Sequence, residues 1–364
     1  MEKAPKHSLQ KIHFLVYTIY MAFQNTPFSR GVNFTKWFEE DRADTIIFSK
    51  YSEQDFINAK SLGVDVIRLP IALHNMTLGK PDFSLDPQFL KLLDTAVEWA
   101  EKHELYLIID NHSFDPIKPT SDSIDNILLK VWAQIAARYK SRSKYIIYEI
   151  LNEPHGISDK RWGEIQGAAI KTIRKFDKKH SIIVGGTDYN SIDKMFSIPE
   201  YTDSNLIYTF HFYDPHIFTH QGARWGNPSF ASLAGVPFPY DRARMPVCPD
   251  DLKETWAAES LADYEHESAF SSLRATLNRV TTFSKKRNVP VFCGEFGVYM
   301  VQCPAEDRVR WYAFISAELK KRNIPWTCWD YYHGFGLFQS LRSRDFKTKL
   351  NTDIVRALGF TPPY

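Results

Sequence analysis

Short, nearly unbroken apolar runs recur along the chain, separated by stretches in which apolar residues fall at three-to-four spacing. The runs are Arg30 to Phe34, Val64 to Pro70, Tyr106 to His112, Tyr145 to Asn152, Ser181 to Gly186, Leu206 to Asp214, Val289 to Gly297 and Pro325 to Tyr331. Continuous hydrophobicity, without the alternation of a half-exposed sheet, marks parallel strands covered on both faces. The segment Asp86 to Glu101 is typical of what lies between, with Leu90, Leu93, Asp94, Val97 and Ala100 recurring at helical spacing. Regular alternation of strand and helix predicts a single-domain α/β fold, the (β/α)8 TIM barrel, over residues 30–364. An open doubly wound sheet would offer a glycine-rich first turn, and no G-x-G-x-x-G is present.

One connection departs from this rhythm. Almost fifty residues separate Tyr213 from the next helical pattern, expected near Ala262 to Lys286, and they include Phe218, Trp225, Phe230, Phe238, Tyr240 and Trp256. A long loop in a compact domain is functional or disordered, and this aromatic content argues against disorder. Leaving the C-terminal end of the sixth strand, it is expected to overhang the barrel mouth.

Composition narrows the classes. With 44% hydrophobic and 24% charged residues among 364, the chain is an ordinary globular one. Its net charge of +2 supplies no field for nucleic acid or an anionic membrane, so a neutral partner is expected. The four cysteines, Cys248, Cys293, Cys303 and Cys328, have neither C-x-x-C spacing nor a histidine at metal-ligand spacing. No metal and no cofactor are expected. Cys293 and Cys328 fall inside apolar strands, as small buried hydrophobes do.

Residues 1–29 read as an extension. Lys3, Lys6 and Lys11 precede the apolar run Phe14 to Phe23, the order of a secretory leader, but no A-x-A-like cleavage site follows. The alternative is an element closing the bottom of the barrel. A leader implies an extracellular or periplasmic location.

Parallel barrels carry chemistry at the C-terminal ends of their strands. Strand two ends with Arg68, three with Asp110 and His112, four with Asn152 and Glu153, six with His211 and Tyr213, seven with Glu295, eight with Trp329. Two facing carboxylates are the minimum equipment for breaking a glycosidic bond. A solitary strand histidine or tryptophan is ordinarily core, yet these sit at strand ends, and barrel interiors favour branched aliphatics.

This set resembles glycoside hydrolase family 5, retaining β-glycanases on a (β/α)8 barrel. The likeness runs from Arg30-Gly31-Val32-Asn33 to Trp326-Thr327-Cys328-Trp329-Asp330. It implies that Glu153, in Asn-Glu-Pro, is the general acid/base and that Glu295, in Gly-Glu-Phe-Gly, is the nucleophile. It further implies that Asn152 bonds the sugar 2-hydroxyl, that His112 and His211 line the subsite of the cleaved sugar, and that Trp329 stacks on it. Arg68 and Tyr213 are expected among the substrate-binding residues and are also expected to keep Glu295 ionised, His211 to orient Glu153, and Trp37 with Phe38 to offer outer platforms. Asp110 is expected to support a neighbouring strand end. The third-strand motif Asp110-Asn111-His112-Ser113 lacks the doubled histidine of many members, whereas His211 to Ala223 is similar to bacterial endoglucanase-like ones.

The resemblance implies a monomeric endo-acting hydrolase of β-1,4-glucan, its partner a polysaccharide or oligosaccharide. Mannan, xyloglucan, mixed-linkage glucan and exo-acting β-1,3-glucan use the same machinery, because loops read the linkage. A non-catalytic sugar-binding barrel would ordinarily have lost a carboxylate.

Overall fold

The computed structural model describes residues 26–363. Eight parallel strands form a closed barrel: β1 Arg30–Asn33, β2 Val66–Ile71, β3 Tyr106–Asn111, β4 Ile146–Glu149, β5 Ser181–Gly185, β6 Leu206–Phe212, β7 Val291–Phe296 and β8 Trp326–Cys328. Closure is made by β8 beside β1, with Arg30 opposite Trp326 and Val32 opposite Cys328. The expected barrel is therefore present, with strands shorter than the apolar runs. Several runs continue past the last ladder pair, and those surplus residues become the floor of the mouth.

Capped amphipathic helices cover the strands. Asp86 accepts from the Gln88 amide at 2.7 Å at the start of helix Pro87–Lys102, where proline opens the first turn. That helix buries Phe89, Leu93, Ala96, Val97 and Ala100 on one stripe. Ser158 accepts from the Arg161 amide at the start of Asp159–Phe176, which buries Trp162, Ile165, Ala169, Ile170 and Ile173.

Inside the barrel, successive layers differ in kind. Near the N-terminal ends, Val66, Ile108, Ile147, Ile183, Ile207 and Phe292 form one apolar cluster, joined by Phe28. The Phe28 ring packs edge-on against Phe292 at 5.1 Å. The end of the predicted extension thus contributes to the barrel bottom, while residues 1–25 lie outside the described residues. Two positions further along β2, β3 and β4, on the same face, stand Arg68, Asp110 and Glu149, each at most 1% exposed. The dry floor supports a charged layer.

The long connection after β6 is folded rather than open. It holds short helices at His216–Thr219, Trp256–Ala262 and Tyr264–Glu267, and the covering helix starts at Phe270, later than expected. Phe218, Phe230 and Phe238 are buried in the main core, so Phe218 is a packing residue and not a cleft residue. Trp225 and Trp256 are each 44% exposed. Cys293 and Cys328 are buried and unbridged as expected. Among the described residues no helix is long and apolar enough to cross a membrane.

Candidate active site

The mouth of the barrel opens into a cleft of about 1300 Å³. His112, Asn152, Glu153, His211, Tyr213, Glu295 and Trp329 all line it, which brings together seven residues expected from sequence. Two expectations need correction. Trp37 is fully buried, its indole N–H donating to the Phe48 carbonyl at 3.1 Å and its ring stacked on Trp99, and Phe38 is buried beside it. The chain turns back after β1 through Lys36, at φ 56°, and this sends both rings into the core. Arg68 is also fully buried, beneath the cleft, so it contacts Glu295 rather than sugar.

Arg68 organises the charged layer. Its Nη1 donates to Glu295 Oε1 at 2.6 Å and to Asn33 Oδ1 at 3.0 Å. Its Nε and Nη2 grip Glu149 at 2.7 and 3.0 Å, and Nη2 also reaches Asn152 Oδ1 at 2.8 Å and Asp110 Oδ2 at 3.0 Å. A guanidinium suits this use, because its planar fork engages several acceptors at once and keeps its charge when buried. Sequence reasoning missed Asn33 and Glu149. The available signal was a glutamate in the middle of the apolar run Tyr145 to Ile150, since charged residues are almost never fully buried unless paired.

Glu295 owes its aim to an irregular strand. β6 and β7 pair Phe210 with Cys293 and then His211 with Glu295, so Gly294 is skipped. Such a bulge re-aims the following side chain. Glycine is required there: a Cβ at 294 would lie 2.8 Å from Thr209 Oγ1 and 3.0 Å from His211 Nε2. The Tyr213 hydroxyl donates to Glu295 Oε2 at 2.9 Å. Burial alone would raise the Glu295 carboxyl, but His211, Arg68, His112 and the Tyr213 hydrogen bond together hold it below the ordinary carboxylate value.

Glu153 stands beyond the end of β4 at φ 44°, a left-handed conformation uncommon outside glycine. His211 Nδ1–H donates to Glu153 Oε1 at 2.6 Å and lies 3.6 Å from Glu295 Oε2. Burial disfavours a charged His211 ring, yet Glu295 and Glu153 outweigh it and raise the imidazole above its usual value. Carboxylate oxygens of Glu153 and Glu295 and a ring nitrogen of His211 all lie within 4.8 Å of one another. A metal ion could reach these three atoms, but His211 Nδ1 is already engaged with Glu153. The arrangement presents two carboxylates, one buried and doubly supported, the other partly open to the cleft.

On the opposite wall, His112 Nδ1–H donates to Asp110 Oδ2 at 2.7 Å, so Asp110 supports the strand end as expected. Asn152 Nδ2 lies 3.4 Å from His112 Nε2. After His112 comes Ser113, whose Oγ accepts from the His74 amide at 2.9 Å. Asn111 Nδ2 donates to His74 Nε2 at 3.2 Å. Burial lowers the His74 pKa to about 4, which keeps that ring neutral.

The sequence model of the family described as cellulase (glycosyl hydrolase family 5) matches residues 26–334. Endoglucanase 3 of Fibrobacter succinogenes is 28% identical over 336 residues, covering 86% of this chain and 50% of that protein. Endoglucanase H of Acetivibrio thermocellus is 30% identical over 322 residues, covering 86% of this chain and 31% of its own length. The chain therefore spans half of one relative and under a third of the other. The crystal structure of endoglucanase Cel5A from Thermotoga maritima superposes with a TM-score of 0.75 at 29% identity, covering 91% of this chain and 96% of that one. That protein has also been solved with mannotriose and with cellobiose. Fold, strand-end carboxylates and the matched length agree: this chain belongs to the cellulase family, glycosyl hydrolase family 5.

Proposed function

We propose that the chain hydrolyses internal β-1,4 bonds of glucan with net retention, by double displacement. The observation that carries this reading is the approach of the Glu153 and Glu295 carboxylates to within 4.8 Å. Retaining enzymes hold their carboxyl groups about 5–5.5 Å apart, whereas inverting ones leave roughly 6.5–9.5 Å for a water. In this reading Glu295, ionised by its donors, attacks the anomeric carbon while Glu153 protonates the departing oxygen. Having given its proton to the departing oxygen, Glu153 is left as the carboxylate that acts as base toward the incoming water. Arg68 and Tyr213 position Glu295, His211 positions Glu153, and Asn152, His112 and Trp329 hold the sugar.

β-1,4-Glucan is favoured because the relatives above are named endoglucanases. β-1,4-Mannan is a second reading, supported by the mannotriose complex of the Thermotoga protein. Action on a polymer too large to cross a membrane supports a location outside the cytoplasm in this reading, with the protein acting as a monomer. A panel of soluble glucans and mannans with a reducing-end assay, together with NMR of the first products, tests the proposal. Release of the β-anomer from glucan is expected. Appearance of the α-anomer, or no cleavage of any β-1,4-glycan, would overturn it.

A further inference from the structure

The chain leaves β5 through an uncommon backbone. Asp188 (φ 55°, ψ 55°), Tyr189 (φ 59°, ψ 39°) and Asn190 (φ 55°) are three consecutive left-handed residues, none of them glycine. The side chain crowds the following carbonyl in this conformation, so it normally occurs as single residues. Strain of this kind persists only where surrounding structure over-determines it. Here Asn190 is fully buried, and its Oδ1 lies 2.2 Å from where a Cβ of residue 185 would stand. Only Gly185 admits it.

The turn delivers one ring to the cleft. Tyr189 lines it and is 40% exposed. One face of its ring is stacked on His155, with centroids 4.2 Å apart and planes 12° apart, and its hydroxyl donates to the Pro116 carbonyl at 3.0 Å. His155 Nδ1–H in turn donates to the Glu153 carbonyl at 3.1 Å. The ring is therefore tied to the backbone of a catalytic carboxylate.

Position around the mouth assigns its use. Glu153 and Glu295 follow β4 and belong to β7, and they divide the ring of strands into two arcs. Asn152 leans toward His112, which faces Trp329, on the arc of β8, β1, β2 and β3. On the hydrolase reading, Asn152, His112 and Trp329 hold the sugar whose bond is cleaved, on that arc. Tyr189 stands on the other arc, with Trp225 and Trp256 from the loop after β6. We propose that Tyr189 is the specificity-determining wall of the leaving-group subsite and that the left-handed turn 188–190 fixes its ring there, an inference that rests on the hydrolase reading above.

The test isolates that subsite. A 2-deoxy-2-fluoro cellobioside with a dinitrophenyl leaving group is used to trap the glycosyl ester on Glu295, and recovery of activity is followed with and without cellobiose. In recovery by cellobiose, its 4-hydroxyl attacks the anomeric carbon, Glu153 takes the hydroxyl proton, and the Glu295 carboxylate departs. Wild type should recover faster as cellobiose is added and then saturate. Tyr189→Ala should need about tenfold more cellobiose, the worth of one ring contact, a larger effect than any on recovery by water alone, and Tyr189→Phe stays close to wild type. Asp188→Gly should keep its affinity for cellobiose, because glycine adopts the same left-handed position without strain, whereas Asp188→Pro, with φ fixed at about −65°, should break the turn and lose that affinity. Undiminished saturation in Tyr189→Ala, or equal slowing of recovery by water, overturns the assignment of the wall. Full affinity in Asp188→Pro overturns the role of the turn. Failure to trap wild type at all would instead contradict the hydrolase reading.

Discussion

The imidazole of His112 lies parallel to the indole of Trp329, with centroids 5.5 Å apart and planes 13° apart. Burial opposes a charge on that imidazole, but Asp110, by its charge and its 2.7 Å hydrogen bond, outweighs it and raises the pKa from 6.5 to about 9. A cation is thus held against an aromatic face, an attraction that strengthens when desolvated. Trp329 is fixed from below before any sugar reaches it.

A dependence of stability on pH follows. Because the folded pKa of His112 is raised, its contribution is fully present below about pH 6.5 and is lost as pH rises through about 9. Thermal melts of wild type and His112→Gln should therefore differ by a constant amount in acid and converge above pH 9. A difference that widens toward alkaline pH would contradict the charged ring.

Removal of either carboxylate should stop turnover without unfolding the barrel. Glu153→Gln is expected to lower kcat by about 10²–10⁴-fold on polymer, the usual worth of general acid–base catalysis, and Glu295→Gln by at least as much. Azide should partly restore Glu153→Ala on an activated aryl glycoside, whose leaving group needs no proton. Wild-type activity in either glutamine variant would refute the assignment.

Tyr213→Phe removes one donor from Glu295. The Glu295 pKa, held low in wild type, should rise, so the acid limb of kcat/KM moves to higher pH by about one to two units, the scale of a hydrogen bond to a charged group. An unmoved limb would show that the hydroxyl does not support the ionised form.

Trp37 and Trp225 should separate stability from binding. Trp37→Ala empties a buried site and is expected to cost about 3–5 kcal/mol, seen as a lower Tm with KM unchanged in the folded fraction. Trp225→Ala removes a ring from a residue that is 44% exposed, so Tm should hardly move while KM for polymer rises more than kcat falls on a small aryl substrate. The reverse pattern would restore Trp37 to the cleft.

What could be read from the sequence has a physical boundary. Strands β1 to β8 were legible because parallel strands buried on both faces are continuously apolar, and Glu153, His211 and Glu295 were legible because their motifs follow such runs. Trp37 was misplaced because adjacency to a strand end does not specify which way the chain turns, and a left-handed Lys36 decided it. Glu149 and Asn33 were missed because their meaning lies in a partner, Arg68, distant in sequence. The bulge at Gly294 and the turn at Tyr189 depend on close approaches between neighbouring strands, and periodicity does not encode those.

The charged layer draws Asn33, Arg68, Asp110, Glu149 and Glu295 from five different strands, and Trp329 follows a sixth. No local segment contains a working fragment of it. Regain of activity after denaturation should therefore report completion of the whole ring, and should lag behind recovery of helical circular dichroism. By the same reasoning, a protease nick that lets any one strand slip would silence the enzyme while leaving most of its secondary structure in place, so loss of activity is a more sensitive gauge of ring integrity than spectroscopy.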